Sequence, residues 1–351
     1  MVARTIGEAL LAVRPTWQVE VLDYFEEFVG SRFNRWVAKG YFRSLQVAPV
    51  LYGLFYQATH SIGDRPRLQA RMNSVGRKRL RDYLLARRPD LVLCTYPTPA
   101  AVLSSLKVEG AVGTALVTIL TDYAVHSQWT HPGVDLYLVA GEPVRDALLD
   151  RGTPAERVVT TGIPVRPSFA QAHPSRPSNG PVLVMFGALG QVRGSLRLCR
   201  ALSKVTDRTV VVCGRDEALL RRLRALPAAE GRLDARGFVE DVDALMAESR
   251  LLVTKPGGVT VSEALAMGLP MVLYRTIPGH ERENEKLLVE VEAAVSPRST
   301  AGVCREVTRL LGDECALGAM SQAAKALGRP HSARDGAAAI VSLVEARNGS
   351  P

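Results

Sequence analysis

No stretch of this 351-residue chain approaches the ~20 consecutive apolar residues that a membrane-spanning helix needs. The apolar runs are short and broken by charge, Gly or Pro. The N-terminus lacks the basic, apolar, small-residue order of a secretory signal, so a cytoplasmic protein is expected. No CxxC spacing occurs among Cys94, Cys199, Cys213, Cys304 and Cys315. That scatter argues against a disulfide framework or a zinc site and for reduced, buried thiols. Aromatic residues are few, at 6%. No signature of a nucleic-acid module is present, so no nucleic-acid partner is expected.

What is present is a chain able to build cores: 47% of residues are hydrophobic and 23% charged. Its length suits about two domains of ~150 residues. The net charge is +9. Such a surface attracts anionic lipid, nucleic acid or phosphate-bearing substrates without choosing among them.

Short apolar runs alternate with helical patterns. Candidate strands are Val19–Leu22, Leu91–Tyr96, Ala115–Leu120, Leu136–Ala140 and Val158–Gly162, then Pro181–Gly187, Thr209–Gly214, Leu233–Gly237, Leu251–Lys255 and Met271–Arg275. Continuous apolar strands separated by helices predict parallel sheets covered on both faces. Between the two sets lie Pro164, Pro167, Pro174, Pro177 and Gly180, a natural linker. The expected organisation is a first domain over residues 1–165, a linker over 166–180 and a second domain over 181–351 that includes the C-terminal helices. Each domain reads as doubly wound α/β, with a cleft between them and ligands at the carboxyl ends of the strands.

The strongest motif is TKPGGVTVSEALAMGLPMVLY, Thr254–Tyr274. A strand ends at Lys255, Pro256-Gly257-Gly258 turns tightly, and a helix starts near Thr260. Glycines admit close backbone approach, and a helix N-terminus offers free amides to a phosphate. The same pattern also serves as a plain strand–turn–helix link. Thr260 and Glu263 have the spacing of a capping box; equally, the Glu263 carboxylate can accept two ribose hydroxyls, as acidic residues do in other nucleotide folds. Downstream, PGHEREN (Pro278–Asn284) opens another helix after a strand, so Glu281 and Asn284 can face the same cleft or form a solvated first turn.

Together these residues resemble the GT-B glycosyltransferases. The branch they look most like contains the monogalactosyldiacylglycerol synthases and processive diacylglycerol glucosyltransferases; the peptidoglycan undecaprenyl-lipid N-acetylglucosaminyltransferase is a more distant relative. TDYAVHSQW (Thr121–Trp129), VDLYLV (Val134–Val139), TGIPV (Thr161–Val165) and RGFVEDV (Arg236–Val242) extend the match from Val19 to about Val295. The resemblance implies two Rossmann-like domains and a UDP-sugar donor, with no cofactor and no bound metal. It places Gly187, Gly190, Gly257, Gly258 and Thr260 about the diphosphate, which needs no dedicated lysine, Glu263 on the ribose, and the backbone of Phe238 and Val239 on uracil, with Lys255 also in the donor site. Glu281 and Asn284 would touch the sugar, beside His280, where the family usually has Gln. Inversion by direct attack of a lipid hydroxyl is implied, with diacylglycerol the expected acceptor. A polyprenyl-linked or small-molecule acceptor, or a non-catalytic nucleotide-sugar or anionic-lipid binder, are the alternatives.

Aromatics that are rare elsewhere gather over Phe28–Gln57: Phe33, Trp36, Tyr41, Phe42, Tyr52 and Phe55 among Arg32, Arg35, Lys39 and Arg43, with more cations from Arg65 to Arg81. That mixture suits the headgroup level of an anionic membrane and predicts peripheral association with the membrane's inner face. An amphipathic core helix pair with a solvated basic face is the plainer reading. Asp122 and His126 follow a strand and are candidates for acceptor binding or proton transfer, or for a hydrogen-bonded pair that fixes the loop. The family's first strand and its Gly-rich loop ending in a histidine, the expected general base, have no counterpart here. Met1–Val13 already reads as the helix that follows them, with Ile6, Leu10 and Val13 on one face. An upstream start for the working protein is the expectation that follows.

Overall fold

The computed structural model describes residues 1–30, 76–171, 176–187, 194–226 and 232–349, except for the side chain of His280. Two compact units form: Met1–Val165 with Pro278–His280 and His331–Pro351, and Arg166–Ile277 with Glu281–Pro330. Among the described residues no helix is long and apolar enough to cross a membrane.

The first unit contains α1 (Val2–Val13), α2 (Arg77–Arg87), β1 (Leu91–Cys94), α3 (Pro97–Val108), β2 (Ala115–Ile119), β3 (Leu136–Val139), α4 (Glu142–Leu149) and β4 (Val158–Thr160). The sheet runs β1-β2-β3-β4, all parallel. β2 and β3 are buried along their whole length. This explains why their sequences, ALVTI and LYLV, are nearly all apolar instead of alternating. The expected strand Val19–Leu22 joins no sheet among the described residues. Val19 packs against α1, where a Cβ at Gly7 would come within 3.1 Å of its Cγ1. Val21 and Leu22 stay 49% and 38% exposed. Alternating apolar residues become a strand only where a neighbour exchanges backbone hydrogen bonds.

The second unit contains β5 (Val182–Met185), α5 (Ser195–Leu202), β6 (Thr209–Val212), α6 (Glu217–Arg224), β7 (Leu233–Arg236), α7 (Val242–Glu248), β8 (Leu251–Thr254), α8 (Gly258–Ala266), β9 (Met271–Leu273), α9 (His280–Glu290), β10 (Ala294–Val295), α10 (Thr300–Leu311) and α11 (Glu314–Leu327). Its parallel sheet runs β10-β9-β8-β5-β6-β7. The core gathers Val184, Phe186, Val211 and Val253 from the strands with Leu198, Leu202, Val307 and Leu310 from the helices. The two-residue β10 is too short to leave a sequence pattern.

Two boundaries differ from the expectation. The last helix, α12 (Ser332–Asn348), belongs to the first unit. Its buried Gly336, Ala337, Ile340 and Val341 pack where small residues allow close approach. A Cβ at Gly336 would lie 3.1 Å from Ile6 Cδ1 and 3.3 Å from Leu138 Cδ1. The Pro-rich stretch is also no free tether. From Arg166 onward it clusters with the second unit. Phe169 is 2% exposed, and Arg176 caps α8 by donating to Met267 O at 3.1 Å and Gly268 O at 3.2 Å.

Of the cysteines, Cys94, Cys199 and Cys213 are buried and free. Burial pushes the Cys94 and Cys199 thiols up to about 12 and Cys213 to about 11, which makes them poor nucleophiles. Cys304 is half-buried and Cys315 exposed, contrary to the expectation of burial.

Candidate nucleotide-sugar site

Strand order in the second unit reverses between β5 and β8, which lie side by side with Met185 opposite Thr254. The chain leaves β5 towards β6 and β7 and leaves β8 towards β9 and β10. Loops therefore diverge past these two strand ends, and open α/β sheets bind ligands at such switch points. Gly187 follows β5 with φ +80°, a conformation that side-chain-bearing residues rarely adopt. Gly190 lies outside the described residues.

Past β8, Gly257 caps α8, and the helix proper begins at Gly258. A Cβ at Gly257 would meet nothing within 4 Å among the described residues, and its φ of −75° suits any residue. The backbone itself makes no demand for glycine here. The helix start also excludes one reading of Thr260 and Glu263. Thr260 lies inside the helix, three residues past the N-cap Gly257, so no capping box forms. Glu263 is 4% exposed, and its carboxylate makes no hydrogen bond among the described residues. Burial raises its pKa to about 7; nearby Arg166 pulls it down and Asp243 pushes it up.

The remaining second-unit residues divide into exposed and buried. Phe238, in the loop after β7, is 58% exposed, with Val239 half-buried beside it. A bare aromatic face there suits stacking on a base. Lys255 donates to Glu281 Oε1 at 3.2 Å, and Glu281 Oε2 accepts from Ile277 N at 2.9 Å. Asn284 is 0% exposed and donates through Nδ2 to Pro256 O at 2.9 Å. Both residues thus hold the turn before α8 from the first turns of α9. The expectation that Asn284 faces a cleft fails, because its helix face is turned into the packing. α9 starts at His280, whose side chain lies outside the described residues.

In the first unit, Asp122 is half-buried just past β2. His126 is 5% exposed, and its Nδ1 accepts from Gln128 N at 3.2 Å, capping the turn Ser127–Trp129. His131 holds the same loop through Gln128 O at 2.7 Å, and Tyr137 bridges to the His131 backbone. The loop-fixing reading of His126 therefore has the geometry on its side, since its Nδ1 lone pair is already committed. Phe33, Trp36, Tyr41, Phe42, Tyr52 and Phe55 lie outside the described residues. Arg166 and Asp243 were missed by the sequence reading. Their one sequence signal was the position of Arg166 directly after TGIPV.

Comparison with known proteins bears on the family and the fold. The monogalactosyldiacylglycerol (MGDG) synthase family model matches residues 1–165, and the group 1 glycosyl transferase model matches residues 180–313. The processive diacylglycerol β-glucosyltransferase of Bacillus cereus strain AH187 is 35% identical over 304 residues, covering 84% of this chain and 78% of that protein. Its counterpart in Bacillus thuringiensis strain Al Hakam is 36% identical over the same shares. Among solved structures, MurG of Acinetobacter baumannii aligns with TM-score 0.55 at 17% identity, covering 78% of this chain and 80% of that one. MnaA of S. aureus, solved with UDP, aligns with TM-score 0.58 at 16% identity over 79% of each chain. At such identities these structures show the two-domain GT-B fold alone. The sequence match carries more: the chain belongs to the glycosyltransferase family of the processive diacylglycerol β-glucosyltransferases.

Proposed function

We propose that the chain transfers a hexose from a UDP-sugar to the hydroxyl of a membrane lipid, with diacylglycerol as acceptor. The observation that carries the donor half is the switch point itself, where an amide-rich turn and a buried carboxylate lie on successive turns of one helix. The diphosphate sits on the amides at the start of α8, where the helix dipole favours negative charge. Glu263 accepts the ribose hydroxyls, and Phe238 and Val239 take the uracil. The acceptor oxygen forms its bond to the anomeric carbon as the bond to UDP breaks. The electron pair leaves on the diphosphate, stabilised by the fixed amides. Asp122, which retains solvent access, is the candidate for the hydroxyl proton, while His126 shapes its loop. The acceptor class rests on the activity named for the relatives.

Membrane association is part of the proposal. The described portion of the basic stretch, α2, buries Leu80 and Leu84 and exposes Lys78, Arg79, Arg81, Arg87 and the following Arg88. Such a face attracts anionic headgroups at about 1 kcal/mol per cation near the surface. UDP release measured with a panel of UDP-sugars and anionic vesicles containing diacylglycerol tests both parts. Release that requires diacylglycerol is expected. UDP binding without release, on diacylglycerol or any other acceptor tried, would replace this reading with a non-catalytic binder.

A substitution at Gly257 tests the donor pose separately. Serine is a better N-cap than glycine, so Gly257→Ser is expected to leave stability equal or a few tenths of a kcal/mol higher. The added Cβ occupies the approach to the α8 amides, so UDP affinity measured by calorimetry is expected to fall about tenfold, the loss of one charge-assisted hydrogen bond.

A further inference from the structure

Arg166 is the residue at which the second unit begins, and its guanidinium reaches three elements of that unit. Nη1 donates to Glu240 O at 2.6 Å, in the loop that carries Phe238 and Val239. Nη2 lies 3.7 Å from Asp243 Oδ1 in the first turn of α7. The group sits over Phe169 at 5.3 Å, within the turn Pro167–Ala170 that packs on α8. Nε is buried without a hydrogen-bond partner among the described residues. An arginine held this firmly, with one donor left unsatisfied, is more than a surface cation.

We infer that Arg166 is a positioning residue for the donor: through Glu240 O it holds the base loop that carries Phe238 and Val239, and its charge, within electrostatic reach of Glu263, keeps that carboxylate available to the ribose. The inference rests on the donor reading above. A loop carbonyl held by a charged donor cannot drift, so the exposed Phe238 keeps one place. The ribose diol is bound best by an ionised carboxylate, and Glu263 is buried enough that its charge is in question near neutrality. Of the charged groups around it, Arg166 favours the ionised form and Asp243 opposes it. α11, which also packs on α8, brings Lys325 only to Gly268, past the far end of that helix. The sign follows. Carboxylate is present above its pKa of about 7 and lost as pH falls through it. Without Arg166 the loss begins at higher pH.

The test compares UDP with 2′-deoxy-UDP on the whole chain between pH 6 and 9, for wild type, Arg166→Met, Arg166→Lys and Glu263→Gln. The ratio of the two affinities cancels the diphosphate's own titration. Wild type is expected to prefer UDP, with the preference falling below pH 7. Arg166→Met is expected to bind UDP about tenfold more weakly at pH 7 and to lose the preference at higher pH than wild type. Arg166→Lys, which keeps the charge but not the fork, is expected to restore the pH midpoint and not the full affinity. An Arg166→Met preference curve that superimposes on wild type would overturn the inference. Should Arg166→Met fail to fold, an Arg166→Lys variant with wild-type affinity and midpoint would overturn it equally, since the fork geometry would then do nothing. If Glu263→Gln keeps the full preference for UDP, the donor reading itself has failed, and that outcome also removes the basis for Arg166.

Discussion

Glu263→Gln is expected to raise the protein's heat stability at pH 8 and to weaken UDP binding in the same variant. The carboxyl is 4% exposed, and its pKa stands at about 7, against about 4.3 in an unfolded chain. A raised folded value means that the native state holds the proton over a range where the unfolded state has released it. Stability therefore declines as pH rises between those two values, and the penalty is complete above pH 7. It amounts to at most a few kcal/mol, reduced by whatever relaxation the site allows. Glutamine keeps the shape and carries no charge to desolvate, so thermal unfolding at pH 8 should shift upward while unfolding at pH 5 changes little. Two charge-assisted hydrogen bonds to the ribose weaken at once, which lowers UDP affinity by about ten- to a hundredfold at pH 8. A variant neither stabilised at pH 8 nor impaired in binding would show that the carboxylate is solvated and idle. A stabilised, weakly binding one would show burial tolerated for the sake of ligand.

The second large effect is expected at Glu281. Its two oxygens hold the Lys255 ammonium at 3.2 Å and the Ile277 amide at 2.9 Å, and the side chain is 6% exposed against 22% for Lys255. Glu281→Ala leaves a half-buried cation and an amide without partners. Breaking one side of such a pair costs about 2–4 kcal/mol, or roughly 5–10 °C in the unfolding of this unit. The turn before α8 loosens with it, so UDP binding falls even if the sugar never touches Glu281. Glu281→Gln separates the roles, because it retains an acceptor for Ile277 N and gives up the charge. Recovery of stability with binding still weak would assign the charge to ligand or turn geometry. Recovery of both would assign Glu281 to architecture. Asn284 is expected to behave as architecture throughout, since its Nδ2 is spent on Pro256 O and none of it reaches solvent.

Much of the fold was legible because parallel strands buried on both faces write themselves as continuous apolar runs. LYLV and TVVV fall within a residue or two of their predicted ends. Val19–Leu22, which alternates apolar residues with Glu20, forms no strand among the described residues, because sheet membership depends on a neighbour's hydrogen bonds. The helix after Lys255 was visible from PGG, yet its start was misplaced. Backbone φ/ψ at Gly257 and Gly258 decide that start, and glycine permits several choices. The capping-box reading of Thr260 and Glu263 fell with it.

By itself the sequence determined the two parallel α/β sheets, the glycine turn after β8 and the family, all of which depend on residue types at short, regular spacing. Only the tertiary structure decided which candidates face solvent and which are stapled inward. Phe238 and Asn284, both candidates from the sequence, are opposite in exposure, at 58% and 0%. Packing also assigned α12 to the first unit and brought Arg166 and Asp243, far away in the sequence, within electrostatic reach of Glu263. Such contacts arise from the summed geometry of many helices and strands, and no local spacing encodes them.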